Sequence, residues 1–152
     1  MLKGKIAVVT GGTRGIGYSI VKKYLENGAK VVLFGSRAET VEKALASLKE
    51  ENAEWEVSGD YPNLKDAGSV EEAVAKVKEK YGRIDILVNN AGVSDSKPVD
   101  EYTSEHFSNI MQLNVNAIMN SVMPVVKIMK EQGGGCILNT SSMVSICGQP
   151  SG

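Results

Sequence analysis

The 152-residue sequence has few of the residues that carry several common chemistries. It has one histidine, two cysteines and 5% aromatic residues. Cys136 and Cys147 show neither metal-ligand spacing nor a Cys-x-x-Cys pair, so the sequence predicts no metal site. His106 has no recognisable partner in the pattern around it, and we do not expect it to be catalytic. Cysteines this sparse are typical of a protein of the reducing cytosol, which predicts a cytoplasmic location.

Excess charge and long apolar runs are also lacking, which argues against two classes of partner. The formal net charge is -1 and no basic block occurs, so we expect no nucleic acid and no acidic membrane surface as a partner. No apolar segment approaches the ~20 residues that cross a bilayer, and no secretory signal precedes the first apolar run. With 42% apolar and 23% charged residues, the sequence predicts one globular domain over residues 1–152.

Short apolar runs alternate with amphipathic helical patterns along the chain. Strands are predicted at residues 6–9, 31–34, 55–57, 84–88 and 137–138, and helices at residues 18–25, 41–48, 69–81 and 104–131. Ser69 begins a capping-box pattern, and Pro124 should disturb the last helix, in which Met111, Met119, Met123 and Met129 are expected to serve packing. The alternation predicts an α/β fold, a doubly wound parallel sheet with helices on both faces.

The most informative segment is the glycine-rich turn Thr10-Gly11-Gly12-Thr13-Arg14-Gly15-Ile16-Gly17, between the first strand and the first helix. Its glycines allow a tight turn and a close approach to a pyrophosphate, and the helix start offers unpaired N–H groups and a positive dipole end. The spacing differs from the Gly-x-Gly-x-x-Gly form, and no Gly-Lys-Ser/Thr follows, so this is not a P-loop. Taken alone, the turn could also be an ordinary connection from strand to helix.

Three further polar motifs belong with this turn. Asn89-Asn90-Ala91-Gly92 ends the fourth strand, Asn114 lies inside the long helix, and Asn139-Thr140-Ser141-Ser142 ends the fifth strand. Each by itself has a structural explanation: the two strand-end motifs as caps or turns, and Asn114 as a solvent-facing residue of the helix. Because the carboxyl ends of parallel strands meet at one edge of the sheet, where ligands bind, their joint position predicts a single site.

Together these motifs resemble those of the short-chain dehydrogenase/reductase family, with Asp85-Ile86-Leu87-Val88 leading into the second of them. The resemblance extends over essentially the whole chain, and such relatives include 3-oxoacyl-carrier-protein reductases and bacterial hydroxysteroid dehydrogenases. It implies a Rossmann-like sheet that binds NAD or NADP, and an enzyme that interconverts a secondary alcohol and a ketone. It also implies a small-molecule substrate and a homo-oligomer assembled through the long helix.

The resemblance assigns roles to particular residues. Asn114 matches the asparagine that helps to hold a water in a proton relay, and Ser142 matches the serine that hydrogen-bonds the substrate oxygen. For the adenine contact, counting back from Ser69 favours Asn63-Leu64 over Asp60, although the approach through residues 59–62 is longer than in the family. The cofactor-binding residues implied are Gly11, Thr13, Arg14, Gly15, Ile16, Gly17, Ser36, Arg37, Asn63, Leu64, Asn89, Ala91 and Gly92.

The end of the second strand bears on the choice of cofactor. Its sequence, Phe34-Gly35-Ser36-Arg37, offers no carboxylate to accept from the 2′-hydroxyl of an NAD ribose. Arg37 and Ser36 can instead bind a 2′-phosphate, and Arg14 could reach the same group. The sequence therefore predicts NADP, with NAD as the less favoured cofactor and an ordinary exposed Arg37 as the alternative explanation.

The family's catalytic Tyr-x-x-x-Lys would lie beyond Gly152, and none of the five tyrosines begins such a motif. We therefore expect this sequence to be the N-terminal piece of a longer protein, without the C-terminal strands and inactive by itself. A non-catalytic nucleotide-binding module is the alternative function. A different Rossmann enzyme, such as a sugar-nucleotide epimerase or a methyltransferase, is disfavoured by the asparagine and serine motifs.

Overall fold

The computed structural model describes residues 1–95, 97–143 and 146–147. In these residues five strands form one parallel sheet in the order β3-β2-β1-β4-β5. The strands are β1 (Ile6–Thr10), β2 (Lys30–Phe34), β3 (Val57–Asp60), β4 (Ile86–Asn89) and β5 (Cys136–Asn139). The helices are α1 (Gly15–Glu26), α2 (Ala38–Glu51), α3 (Ala67–Tyr81), α4 (Ser104–Met111) and α5 (Ala117–Glu131), with a π-helical turn at Gln112–Asn116 between the last two.

Helices pack on both faces of the sheet, which confirms the predicted doubly wound arrangement. Successive side chains of a strand point to opposite faces, so Val8 and Val9 of β1 enter different hydrophobic clusters. Val9 packs with residues of α1 and α2, such as Val21. Val8 packs with residues of α3 and α5, such as Val74 and Val125. Burial of one such side chain contributes about 1.5–3 kcal/mol.

Two of the predicted strands begin too early. The chain before β3 turns at Trp55, whose N–H donates to the carbonyl of Asn52 at 3.2 Å. Before β4, the N–H and carbonyl of Ile84 bond to the side-chain amide of Gln132 at 3.1 and 2.7 Å. The predicted starts at residues 55 and 84 are therefore wrong, because these backbone groups have partners outside the sheet.

The predicted start of α3 at Ser69 is also wrong. The cap is Asp66, whose carboxylate accepts from the N–H groups of Gly68 at 2.9 Å and Ser69 at 3.4 Å. The hydroxyl of Ser69 instead accepts from the N–H of Asn63 at 3.0 Å and so stabilises the preceding loop. The predicted end near Tyr81 is confirmed, since Gly82 follows the helix in the left-handed conformation (φ 74°).

Pro124 does not disturb the last helix. Although proline lacks the N–H that would bond one turn back, α5 continues through it and is held to the sheet by Val125, Ile128 and Met129. The irregularity lies at the π-helical turn Gln112–Asn116, where one extra residue widens the helix. The expected position of the disturbance is therefore wrong.

Within the chain itself, the packing role expected for the methionines holds only for Met129. The other three are exposed, Met111 at 37%, Met119 at 54% and Met123 at 57% of their full area. With Phe107 and Val115 they recur at every fourth residue and form an exposed apolar stripe along α4, the π-helical turn and α5. This apolar stripe faces away from the sheet, so those three residues do not pack within their own chain, and a packing role against another surface stays a prediction.

The amino end of the central strands is fixed by Asp85. Its buried carboxylate accepts from the N–H of Ile6 at 2.9 Å and pairs with the guanidinium of Arg83 at 2.6 Å. Burial raises the pKa of Asp85, but the hydrogen bonds from Arg83 and Ile6 outweigh it and hold the pKa below its ordinary value. Ile6 begins β1 and Asp85 precedes β4. This cluster therefore joins the two strands at their amino ends, opposite to the carboxyl edge at which the site is predicted.

Candidate cofactor and active site

The candidate site lies at the carboxyl edge of the sheet, between β1 and β4. The strand order changes direction there, and in doubly wound sheets ligands bind at such a point. The hydroxyl of Thr10 accepts from the N–H groups of Asn90 and Ala91, each at 3.0 Å. The side-chain amide of Asn90 also donates, to the Thr10 carbonyl, at 3.2 Å. The structure thus joins the glycine-rich turn to the segment that follows β4.

Three of the four glycines in the turn are required for different structural reasons. Gly11 has φ +68°, and a Cβ there would lie 3.0 Å from the Cα of Ala91. A Cβ on Gly17 would lie only 2.1 Å from the Gly11 carbonyl oxygen and 2.6 Å from the Asn90 amide nitrogen. Gly15 has φ +55° with no other group within 4 Å of its Cβ position. Two glycines therefore close the turn, while the third leaves open space above it.

The first turn of α1 is open to an anion. Arg14 occupies the N-cap position without a side-chain hydrogen bond to the helix, and the first turn contains no acidic residue. Ile16 is 68% exposed, whereas Thr13 is half-buried beside Gly35. Helix starts leave N–H groups unpaired and carry a partial positive charge. The turn therefore has the shape and the charge that a pyrophosphate requires, and it fits a dinucleotide cofactor.

The end of β2 presents two exposed polar residues, Ser36 and Arg37. Arg37 is the N-cap residue of α2, and Gly35 lets this segment pack on Thr13 of the turn. Within the described part of the chain, neither Arg37 nor Arg14 has an ion-pair partner. The nearby Asp60, by contrast, is paired with Lys76 at 3.4 Å. Two arginines without an ion-pair partner among the described residues thus lie in the turn and in the segment that packs on it.

The loop predicted to contact adenine is held between two helices. The side-chain oxygen of Asn63 accepts from the Lys65 N–H at 3.2 Å, and the backbone N–H of Asn63 donates to the Ser69 hydroxyl. Leu64 is half-buried, and its carbonyl accepts from the amide of Asn120 on α5 at 2.9 Å. These contacts fix the loop beside the end of β3. The adenine contact itself stays a prediction.

Asn89 and the residues after it divide between packing and exposure. Asn89 is 4% exposed and donates to the side-chain oxygen of Asn139 at 2.9 Å, so its side chain joins β4 to β5. Its own side-chain oxygen has no partner in the described residues and borders a small cavity together with the equally unpartnered hydroxyl of Ser121. Ala91 is half-buried and Gly92 is exposed. Asn89 therefore contributes to the site by joining two of its strands, as a buried residue and not as an exposed one.

The π-helical turn places Asn114 against the loop that follows β4. Its side-chain oxygen accepts from the Val93 N–H, and its side-chain nitrogen donates to the Val93 carbonyl, both at 2.8 Å. Gly92 lies so close that a Cβ there would be 3.2 Å from the Asn114 side-chain oxygen. Ser142 is exposed, three residues beyond the end of β5. Of the two residues predicted to be catalytic, Ser142 thus follows β5 and Asn114 contacts the loop after β4, and both strands end at this edge. Residues 148–152 lie outside the described part.

One pair near the site was not predicted. His106 Nε2 contacts the Asp95 carboxylate, and its ring meets that of Tyr102 edge to face at 5.0 Å. Burial raises the pKa of Asp95, but hydrogen bonds from the Lys97 N–H and from His106 hold it below its ordinary value. His106 thus has partners that the sequence around it does not indicate, and the expectation that it is not catalytic stays a prediction. The two residues are 11 positions apart in the chain, so their spacing gives no signal in the sequence.

Two kinds of feature are absent from the described residues. None of their helices combines the length and the apolar character needed to cross a bilayer. Nor do three or more histidine, cysteine, aspartate or glutamate side chains come together there in a group that could hold a metal ion.

Comparison with known proteins identifies many relatives. The family model described as short chain dehydrogenase matches residues 5–152. A 3alpha-hydroxysteroid dehydrogenase of Mediterraneibacter gnavus is 59% identical over 100% of this chain and 61% of its own length. An NADP-dependent (R)-specific alcohol dehydrogenase of Lentilactobacillus kefiri is 35% identical over 98% of this chain and 58% of its own. The crystal structure of apo LigO from Sphingobium superposes with a TM-score of 0.93 at 34% identity, covering 99% of this chain and 56% of that one. The chain thus spans little more than half the length of these relatives.

Proposed function

The chain belongs to the short-chain dehydrogenase family, and from this premise we propose that the complete protein is an NADP-dependent oxidoreductase that interconverts a secondary alcohol and a ketone. The observation that carries the proposal is the open, uncapped start of α1 above Gly15, beside Arg14 and Arg37, which have no ion-pair partner among the described residues. The 59% identity to a protein named 3alpha-hydroxysteroid dehydrogenase makes a steroid hydroxyl group the first substrate to test.

The residues of the chain would divide the binding of the cofactor among them. The N–H groups of the turn at Gly15 and Gly17 would bind the pyrophosphate, and Arg14 and Arg37 would bind the 2′-phosphate. The name of the NADP-dependent relative supports this choice. When bound, the nicotinamide ring gives or takes the hydride, and the protein supplies orientation and charge.

Ser142 and Asn114 would serve the substrate side. The Ser142 hydroxyl would donate to the substrate oxygen and favour the charge that develops there. Asn114, with its side-chain amide bonded to Val93 at 2.8 Å, would help to hold a water in the relay that moves the proton. The acid and base of the reaction would come from a Tyr-x-x-x-Lys beyond residue 152.

A binding titration and a turnover assay on the complete protein test this proposal. NADPH should bind with enhanced nicotinamide fluorescence, and 3-hydroxysteroids or their ketones should be turned over. Ser142→Ala should lower kcat by about 100-fold or more while the Kd for NADPH stays unchanged. The matched control is Ser141→Ala, which should keep near-normal kcat. Binding without turnover of any alcohol or ketone would favour a nucleotide-binding module, and no binding at all would contradict both functions.

We further propose that the protein self-associates through the exposed apolar stripe of Phe107, Met111, Val115, Met119 and Met123. A stripe of this length is unusual on a surface that faces only water. Met119→Asp should therefore shift the native protein to monomers in light scattering after gel filtration. Asn109→Asp, which changes an exposed residue of α4 that does not belong to the stripe, should leave the mass of the native protein unchanged. A monomeric wild-type protein would contradict this part of the proposal.

A further inference from the structure

Two side chains, one from α4 and one from the π-helical turn after it, hold the loop that follows β4. Asn114 bonds both the N–H and the carbonyl of Val93 at 2.8 Å. Two residues further along the loop, the carboxylate of Asp95 meets Nε2 of His106. The loop that leaves β4 toward the candidate substrate side is therefore fixed to the helix at two points.

The spacing of these contacts explains why they act together. His106 and Asn114 are eight residues apart, which is about two helical turns, so their side chains lie on the same face. Val93 and Asp95 are both bound to that face. His106 belongs to the regular helix α4, and Asn114 belongs to the π-helical turn that follows it.

The surroundings of the His106–Asp95 pair keep it well defined. The Thr103 hydroxyl accepts from the His106 N–H at 3.1 Å and begins α4. Tyr102 packs its ring edge to face on the imidazole. On the loop side, the Lys97 N–H donates to the other Asp95 oxygen at 3.0 Å, and the Lys97 charge also acts on this carboxylate. The side chains of both members are only partly exposed, 32% for His106 and 20% for Asp95.

We propose that His106 and Asp95 are positioning residues, which hold the loop after β4 against α4 and thereby fix the Asn114 amide at the edge of the sheet. Both polar groups of that amide are bonded to Val93, so Asn114 must follow any movement of the loop. Without the second attachment at Asp95, the loop would pivot about Val93. The catalytic consequence rests on the proposed oxidoreductase function, whereas the holding of the loop does not.

His106→Gln and Asp95→Asn in the complete protein test the inference. Each variant should lower kcat by about 10-fold, since a small misplacement of a group near the reaction is costly, while the Kd for NADPH stays within about 2-fold. The exchanged pair Asp95→His with His106→Asp should recover most of the lost kcat, because it restores the contact. Glu105→Gln, an exposed neighbour on the same helix, is the matched control and should behave as wild type.

Hydrogen exchange of the Val93 amide gives a readout that does not need activity. Its N–H donates to Asn114, so exchange should become about 10-fold faster in both single variants and return toward normal in the exchanged pair. Unchanged exchange at Val93 with unchanged kcat would overturn the proposal. If the wild-type protein turns over no alcohol or ketone, the proposed function fails, and the Val93 exchange rates alone still decide whether the pair holds the loop.

Discussion

Replacing Gly17 with alanine should abolish useful binding of NADPH. The new Cβ would lie 2.1 Å from the Gly11 carbonyl oxygen and 2.6 Å from the Asn90 amide nitrogen. Neither atom can move cheaply, since Gly11 belongs to the backbone of the turn and Asn90 donates to Thr10. The turn must open, which removes the N–H groups of α1 from the phosphates. Losing two such charged hydrogen bonds costs about 3 kcal/mol, so fluorescence titration should show a Kd raised by about 100-fold or more.

Gly82→Ala is the control for the strain of a glycine replacement. Gly82 has a positive φ, +74°, which makes its replacement strained in the backbone, but nothing lies within 4 Å of its Cβ position, and it ends α3 at a distance from the turn. This variant should lose about 1 kcal/mol of stability and keep the NADPH affinity of wild type. If Gly17→Ala folds, as judged by circular dichroism, and binds NADPH within about 3-fold of wild type, the turn does not bind the pyrophosphate as proposed.

The fold could be predicted because its strongest signals are local. The apolar runs of β1 and β2 are buried on both faces of the sheet, so they appear in the sequence without interruption. The ends of the helices and strands were harder to predict, because they depend on which of several neighbouring side chains bonds to the unpaired backbone N–H and carbonyl groups there. Asp66 and Ser69 can both cap a helix by type, and only the path of the loop at Asn63 decides between them.

The candidate site was predictable in its motifs and not in its contacts. Thr10, Asn90 and Ala91 come together because strands β1 and β4 are neighbours, which the fold class implies. The bonds from Asn114 to Val93 depend on a π-helical turn, which inserts one residue and has no sequence pattern of its own. The same holds for the His106 contact with Asp95, since the course of the intervening loop brings the two side chains together.

The apolar stripe shows a further limit of pattern reading. Helical periodicity identifies an apolar face, but it does not say whether that face meets the sheet of its own chain or another surface. In α5 the first role belongs to Val125, Ile128 and Met129, which are buried. Met119 and Met123 have the same periodicity and remain exposed. Only three-dimensional packing separates these two sets of residues.

Arg37→Asp should reverse the preference between the two nicotinamide cofactors. The introduced carboxylate would repel the 2′-phosphate of NADPH and accept a hydrogen bond from the 2′-hydroxyl of NADH. The fold should tolerate it, because position 37 is the N-cap of α2, where aspartate is a preferred residue. We expect the Kd for NADPH to rise about 100-fold and that for NADH to fall about 10-fold, a change of about 4 kcal/mol in relative affinity.

The neutral variant Arg37→Gln separates the loss of attraction from the added repulsion. It should weaken NADPH by about 10-fold and leave NADH unchanged, since NADH has no 2′-phosphate to lose a partner. Because Arg14 is expected to bind the same phosphate, Arg14→Gln combined with Arg37→Gln should show a non-additive loss in a double-mutant cycle. Additive losses would place the two guanidinium groups on separate targets. A wild-type protein that binds NADH more tightly than NADPH would contradict the role of Arg37 altogether.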